Sequence, residues 1–227
     1  PHFKKRLEPD MPNVCRHFRI RQGDVAKGFM EADLVVENRF STDRVQHCQM
    51  ETHAVCAWVS PDGVLNVVTA PRSPGLGDIF SVPTSMMRVI TPYVGGAFGA
   101  KGTGFSSVEP IACLLAIKSQ KPVRLALKRD EHFIDGRQLS EYIVYLKDGI
   151  KKDGTLVARE IKIIMNCGRH SDITMSIIRS ASLGATATYR IPNFKLDTYG
   201  VYTNTPITGP LRGFGCPEVE WAIEQQM

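Results

Sequence analysis

The chain has 227 residues, enough for one large domain or for two lobes that each bury a core. Its 43% hydrophobic and 22% charged residues are typical of a soluble globular protein, and no apolar run approaches the ~18 residues needed to span a bilayer. The net charge of +5 is spread along the chain without a Lys/Arg run, so neither a membrane protein nor a nucleic-acid-binding module is indicated.

The six cysteines are scattered and form no C-x-x-C pair, so they indicate neither a disulfide framework nor a zinc site. A reducing cytoplasm is therefore the predicted location. The basic start of the chain is not followed by an apolar run, which excludes a signal peptide there. Because the chain does not begin with Met, we expect it to be a processed piece or a fragment of a longer protein, or else a split subunit.

The first half of the chain is predicted to contain a mixture of helices and strands, with a hairpin. Residues 1–22 are polar and contain three prolines, which predicts an arm or linker. Asp24–Ala32 is a short helical candidate with Asp24 near its start. Ala54–Val59 and Val64–Thr69 are apolar runs joined by a Pro- and Gly-containing turn, a strong hairpin signal.

The most apolar predicted helix is Val108–Lys118. The other predicted helices are Leu76–Ser81, Thr174–Leu183 and Glu218–Met227, and the other predicted strands are Leu34–Phe40, Met86–Ile90, Val123–Leu127, Glu141–Leu146, Leu156–Asn166 and Phe194–Thr203. This mixture predicts an α+β fold of mixed or antiparallel sheets packed with helices. Two lobes are expected, with a boundary near 128–136.

The densest candidate binding segment is Val94–Gly102, V-G-G-A-F-G-A-K-G. Glycine and alanine let the backbone approach a ligand and direct N–H groups at it, and the helix predicted to follow adds a positive dipole end. The run fits neither the Walker A pattern nor G-x-G-x-x-G. Taken alone, it is equally compatible with a tight strand-to-helix connection whose Phe98 lies in the core.

The second candidate segment runs from Asn204 to Glu218 and contains the turn Leu211-Arg212-Gly213-Phe214-Gly215. Prolines and glycines hold Arg212 on a stiff turn, and Pro217 opens a helix with Glu218 in its first turn. An arginine next to a helix N-terminus would suit an anion. Taken alone, the segment is also compatible with a surface turn whose arginine pairs with a carboxylate.

In combination, these segments resemble the molybdenum hydroxylases of the xanthine dehydrogenase and aldehyde oxidase type. Gly95–Lys101 resembles the family's G-G-G-F-G-G-K loop, and Leu211–Gly215 resembles its F-R-G-F-G loop. Further similar segments are Met50–His53, Lys121–Arg124, Arg129–Glu131 and Tyr189–Asn193. The resemblance identifies 23–227 as the first half of the family's molybdopterin-binding region.

The resemblance implies an oxidoreductase that hydroxylates an aldehyde or N-heterocycle carbon with oxygen from water. The implied cofactor is molybdopterin with molybdenum, either as such or as its cytosine dinucleotide. The [2Fe–2S] clusters and FAD are expected in other domains or subunits. The implied partners are a second molybdopterin-binding domain or subunit, iron–sulfur and flavin subunits, and a small-molecule substrate.

The resemblance also assigns site residues. The implied cofactor-binding residues are Gly95, Gly96, Ala97, Phe98, Gly99, Arg212, Gly213, Phe214 and Gln46, of which Phe98 and Arg212 would lie near the molybdenum. The family's glutamine falls by strict spacing at Val45, and Gln46 is one place further on. Gly102 stands where xanthine-type members have a purine-holding Glu, which argues against an ordinary purine substrate.

No catalytic residue is assigned within this chain. The family's base is a Glu in a G-x-G-E stretch, and no such stretch occurs here. We therefore expect the isolated chain to be an incomplete site with little or no activity. The alternatives are a non-catalytic, partner-binding remnant of the same fold and a basic nucleic-acid-binding module. The lack of clustered Lys/Arg and of stacking aromatic residues speaks against the second.

Overall fold

A computed structural model describes residues 11–70, 76–101, 106–171, 173–187 and 189–227. In chain order, its elements are β1 (Val14–Gln22), α1 (Val25–Glu31), β2 (Leu34–Thr42), β3 (Ala54–Val59), β4 (Leu65–Thr69), α2 (Leu76–Ile79), β5 (Met87–Ile90), α3 (Val108–Ser119), β6 (Val123–Ala126), α4 (Arg129–Asp135), β7 (Gln138–Leu139), β8 (Tyr142–Ile150), β9 (Leu156–Gly168), α5 (Thr174–Ala187), β10 (Asn193–Tyr202), β11 (Thr208–Gly209) and α6 (Cys216–Gln226). They form two compact units. The first comprises the chain up to Val45 and from Leu139 onward, and the second is 46–138.

The first unit is built on a five-stranded sheet in the order β1-β10-β9-β8-β2. Only the central β10–β9 pair is parallel, and the other pairs are antiparallel. Alternate residues of β8, such as Tyr142, Val144 and Leu146, point into the hydrophobic core. Helices α5 and α6 contribute apolar side chains to the same core. A fully buried ion pair between Arg159 and Asp148 lies in the same sheet, with nitrogen–oxygen distances of 2.5 and 2.8 Å.

The second unit contains a four-stranded sheet in the order β5-β4-β3-β6. Alternate residues of β3 and β4 are buried, and α3 packs its small residues Ala112, Cys113 and Ala116 against them. The opposite side of α3 exposes Ile111, Leu114 and Leu115. The segment Val94–Gly102, called the glycine loop from here on, lies between β5 and α3 in the chain.

The α+β class with mixed sheets is confirmed, but the arm predicted over 1–22 is wrong for Val14–Gln22. That segment is strand β1, paired antiparallel with β10. Phe18 and Ile20 pack on the core, while Arg21 binds Asp197 at 2.8 Å. This alternation of apolar and charged residues is the period of a strand, and it was readable in the sequence. Residues 1–10 lie outside the described residues.

The chain re-enters the first unit between Gln138 and Leu139, next to the stretch 128–136 where a boundary was predicted. The first unit is thus assembled from two separate segments, whereas the sequence suggested only two successive lobes. Within the described part of the chain, no helix is both long and apolar enough to cross a bilayer.

Candidate functional site

The glycine loop leads from β5 to α3 and is described up to Lys101, so Gly102 lies outside the described residues. Its backbone turns sharply, because Gly96, Phe98 and Gly99 have φ values of 101, 50 and 119°. A turn closes from the Ala100 N–H to the Ala97 carbonyl at 2.8 Å. Among the described residues, the N–H groups of Gly96, Ala97 and Gly99 donate to no protein acceptor. The loop therefore carries backbone donors that are open to a ligand.

Glu51 holds the two ends of this loop. Its Oε2 accepts from the Gly95 N–H at 2.9 Å and from the Lys101 Nζ at 2.6 Å. Its own N–H donates to the Gly95 carbonyl at 3.2 Å. The Lys101 ammonium, and next the Gly95 N–H, lower the pKa of the Glu51 carboxyl below its ordinary value.

A buried polar cluster supports the loop from within the second unit. His53 Nδ1 and His132 Nε2 are 2.9 Å apart, and Gln49 Nε2 is 3.2 Å from the same His132 nitrogen. Burial lowers the pKa of both histidines from 6.5 to about 4, so both are neutral at pH 7. His53 also hydrogen-bonds to the backbone of Ala100 in the loop.

Two of the glycines are required by this support. A Cβ added at Gly95 would stand 2.6 Å from the Glu51 Cβ, and one at Gly96 would stand 3.1 Å from the Gln49 Cβ. Real Cβ atoms essentially never come within 3.0 Å of another atom, which excludes a side chain at Gly95. At Gly96 the contact is tighter than nine in ten real Cβ contacts, and the φ of 101° adds strain for any other residue. The absent side chains at these positions thus make room for Glu51 and Gln49, while the open donors belong to Gly96, Ala97 and Gly99.

A small cavity of about 130 Å³ opens beside the buried Lys101. Its walls combine charged and apolar groups from the second unit, including Glu51, Thr69, Lys101 and Arg124. Thr69 donates to Glu109 at 3.0 Å, and Ser106 completes the bonding of that carboxylate. Glu109 is thereby a fully bonded residue of the first turn of α3 and not a free acid.

The arginine loop, Leu211–Gly215, belongs to the first unit and also has a left-handed backbone. Gly213, Phe214 and Gly215 have φ values of 97, 60 and 94°. The turn closes from the Phe214 N–H to the Leu211 carbonyl at 2.8 Å, and α6 follows at once. Arg212 is exposed at the head of the turn. The stiff turn predicted from the sequence is thus present.

Close packing fixes this second loop. A Cβ at Gly213 would lie 2.2 Å from the Pro217 Cγ, and one at Gly215 would lie 2.9 Å from the Tyr142 hydroxyl. Both φ values also exclude ordinary side chains without strain. At each of the two positions, a neighbouring residue of the first unit leaves no room for a side chain.

Two buried polar atoms near α6 stand out. The Tyr142 hydroxyl and the Glu218 Oε2 have no hydrogen-bond partner within the described residues. Burial raises the pKa of both groups above their ordinary values. The residues are 0% and 8% exposed, so water does not compensate them freely.

The structure gives Gln46 a supporting role in the second unit. Its Nε2 donates to the His132 carbonyl at 3.0 Å, and its Oε1 accepts from the His47 N–H at 2.8 Å. Sequence reasoning did not assign Glu51, Gln49 or His132 any part in the loop. Glu51 and His53 stood in a matching segment, but their partners lie about 50 and 79 residues away, beyond any local pattern.

The donors on offer suit an organic anion better than a bare cation. Among the described residues, no three His, Cys, Asp or Glu side chains are grouped as metal ligands. The glycine loop instead presents open backbone N–H groups and a half-exposed phenyl ring. A molybdopterin group, with its anionic and ring portions, fits this donor set.

Proteins with similar sequences include subunits named for molybdopterin or molybdenum binding. The chain is 30% identical over 236 residues to the nicotinate dehydrogenase large molybdopterin subunit of Eubacterium barkeri, covering 99% of this chain and 55% of that protein. It is 28% identical over 221 residues to the xanthine dehydrogenase molybdenum-binding subunit of Escherichia coli, covering 95% and 29%. The chain thus spans about half of one relative and under a third of the other.

Solved structures share the fold. The aldehyde oxidoreductase of Desulfovibrio gigas superposes with a TM-score of 0.85 at 24% identity, over 97% of this chain and 26% of that one. The quinoline 2-oxidoreductase of Pseudomonas putida superposes with a TM-score of 0.81 at 25% identity, over 89% and 27%. The family model described as "Molybdopterin cofactor-binding domain" matches residues 7–227. The chain therefore belongs to the molybdopterin cofactor-binding domain family.

Proposed function

We propose that this chain supplies part of the cofactor site of a molybdenum hydroxylase that acts on an aldehyde or an N-heterocycle carbon with oxygen from water. The observation that carries the proposal is the glycine loop, whose Gly96, Ala97 and Gly99 N–H groups are open to a ligand. The bound cofactor would supply the oxygen-transfer and two-electron chemistry.

The chain's own residues would bind and orient. The open N–H groups would donate to anionic oxygens of the cofactor, and the side chain of Phe98, 44% exposed, would form an apolar wall near the metal. Arg212, Gly213 and Phe214 would contribute a cation and a closely approaching backbone. A contact from Gln46 would require its present bonds to His132 and His47 to break.

The proposed enzyme needs further parts that lie outside this chain. We place the catalytic base, the second molybdopterin-binding part, and the iron–sulfur and flavin groups in other domains or subunits. The names of the two relatives, which call them subunits, support a multi-subunit parent. A cytoplasmic location, a cytosine dinucleotide form of the cofactor, and the inactivity of the isolated chain belong to the same proposal.

The test is cofactor content. The protein is purified with its natural partner chains, and molybdenum, pterin and any attached nucleotide are quantified by elemental analysis and mass spectrometry. Gly99→Ala, which places a side chain at a φ of 119°, should lower both contents roughly tenfold or more. Gly154→Ala, at a φ of 87° in a hairpin with nothing within 4 Å, should leave them unchanged.

Absence of molybdenum and pterin from the wild-type protein would reject the proposal. Bound cofactor without turnover of any aldehyde or heterocycle would reject the hydroxylase function and leave cofactor binding in place.

A further inference from the structure

We propose that Glu51 is the positioning residue of the glycine loop, and that its ion pair with Lys101 sets the direction in which the loop's backbone donors point. The inference rests on the proposed function for its cofactor, but its geometry belongs to the second unit alone. Glu51 would touch neither cofactor nor substrate and would act through Gly95 and Lys101.

One residue closes both ends of the loop. Glu51 makes two hydrogen bonds with Gly95. Its carboxylate accepts from the Gly95 N–H at 2.9 Å, and its own backbone N–H donates to the Gly95 carbonyl at 3.2 Å. The same carboxylate oxygen binds Lys101 at 2.6 Å. The five residues between Gly95 and Lys101, which include the open donors, therefore span two points fixed by a single side chain.

Every second residue from Gln49 to His53 contacts the glycine loop. Gln49 packs under Gly96, Glu51 under Gly95, and His53 bonds to Ala100. The residues between them are anchored on other groups, because Thr52 donates to the Leu127 carbonyl at 2.7 Å and Arg129 donates to the Met50 carbonyl at 3.1 Å. The segment 49–53 is thus held in place independently of the loop that it supports.

The two partners of the ion pair differ in exposure. The Lys101 side chain is 1% exposed and the Glu51 side chain is 40% exposed. Removing the carboxylate would leave the ammonium buried without its charge partner, which is costly in a dry environment. The loop would have to rearrange to bring Lys101 to water, and the directions of its N–H groups would change with it.

The test uses the full protein carrying its cofactor. Glu51→Gln is compared with Glu51→Asp and with Glu37→Gln, which removes an exposed carboxylate of the first unit paired with Lys147 at 3.3 Å. Amide hydrogen exchange of peptides covering 95–101 reports on the loop. The molybdenum content and the g-values of the Mo(V) EPR spectrum report on the metal's surroundings.

We expect Glu51→Gln to accelerate exchange over 95–101 and lower molybdenum content, each roughly tenfold, with shifted g-values in the molecules that keep the metal. Glu51→Asp should recover part of each, and Glu37→Gln should match the wild type. If Glu51→Gln fails to fold, the double variant Glu51→Gln/Lys101→Met removes the buried charge and should still show fast exchange and shifted g-values.

Wild-type exchange and wild-type g-values in Glu51→Gln or in the double variant would overturn the inference. A wild-type protein without molybdenum would reject the proposed function instead. In that case exchange of the Ala100 N–H, which bonds to the Ala97 carbonyl within the loop, decides the role of Glu51. Acceleration at Ala100 in Glu51→Gln would support that role, and no change would refute it.

Discussion

The glycine loop and the arginine loop reach a similar backbone by different physical means. Both contain consecutive residues with positive φ, at Phe98 and Gly99 in one and from Gly213 to Gly215 in the other. The glycine loop is held by polar and charged groups, foremost Glu51 and the histidine pair. The arginine loop is held by packing of a proline ring and a tyrosine against its glycines.

This difference determines what each loop responds to. Ion pairs and hydrogen bonds to titratable side chains depend on protonation, whereas steric packing does not. Conditions that change charge should therefore affect the glycine loop first, and substitutions that add volume should affect the arginine loop first. The two tryptophans allow each unit to be followed separately, because Trp58 lies in β3 and Trp221 in α6.

The largest effect is expected from Gly213→Ala. Its Cβ would lie 2.2 Å from the Pro217 ring at a φ of 97°, so strain and overlap should together cost about 3 kcal/mol or more of the first unit's free energy of unfolding. Gly154→Ala, with positive φ but no neighbour within 4 Å, should cost only about 1 kcal/mol. Denaturant unfolding followed by Trp221 fluorescence in a Trp58→Phe background measures both. Equal losses would refute steric support.

A smaller effect is expected from acid on the second unit. The folded-state pKa values of His53 and His132, about 4, lie below the ordinary value of 6.5. Between these values the unfolded chain binds more protons than the folded chain, so stability should fall as the pH drops from 6.5 towards 4. The slope should reach at most about 1.4 kcal/mol per pH unit for each histidine and level off near pH 4.

Unfolding at successive pH values, followed by Trp58 fluorescence in a Trp221→Phe background, measures this slope. His132→Gln should reduce it, since that variant removes one of the two titrating rings. A second unit whose stability is flat from pH 6.5 to 4.5 in the otherwise unchanged protein would contradict the electrostatic account of the glycine loop.

The smallest effect is expected at Glu218, with the opposite sign. Burial raises the folded-state pKa of Glu218 above its ordinary value of 4.5, so the folded state binds more protons just above that pH. Its contribution to the first unit's stability should therefore improve as the pH falls towards 4.5. Glu218→Gln should remove this dependence and stabilise the first unit at pH 7 by up to about 1 kcal/mol. Trp221 fluorescence tests it, and a destabilised variant at pH 7 would show that the carboxylate has a partner.

Local signals predicted local structure well. The turn Ser60–Gly63 forms with the predicted glycine at a φ of 83°, and the strands on either side pair as a hairpin. Helix α1 begins where Asp24 caps it, with the Asp24 side chain accepting from the Lys27 N–H at 3.1 Å. In both cases the residues that decide the structure are within a few positions of each other.

Long-range partners were beyond the sequence. Strand β1 exists because β10, about 180 residues away, pairs with it, and Glu51 supports the glycine loop only because folding brings Lys101 to it. Helix α3 is apolar on all sides, so its pattern did not indicate that Leu114 and Leu115 would be exposed. The family's two loops were found by their motifs, but the residues that hold them were not.

The insertion of 46–138 into the first unit has a consequence for chain entropy. The Leu139 N–H donates to the Val45 carbonyl at 2.8 Å, and Gln46 forms a bridge with Gln138, so the two ends of the insert lie side by side. Strands β2 and β8, which flank it, pair directly. An unfolded insert would make that ladder close a loop of roughly 90 residues. A folded insert already holds its two ends side by side, so β2 and β8 then close a loop with little further loss of chain entropy. Folding of the second unit therefore lowers the entropic cost of forming the β2–β8 ladder in the first.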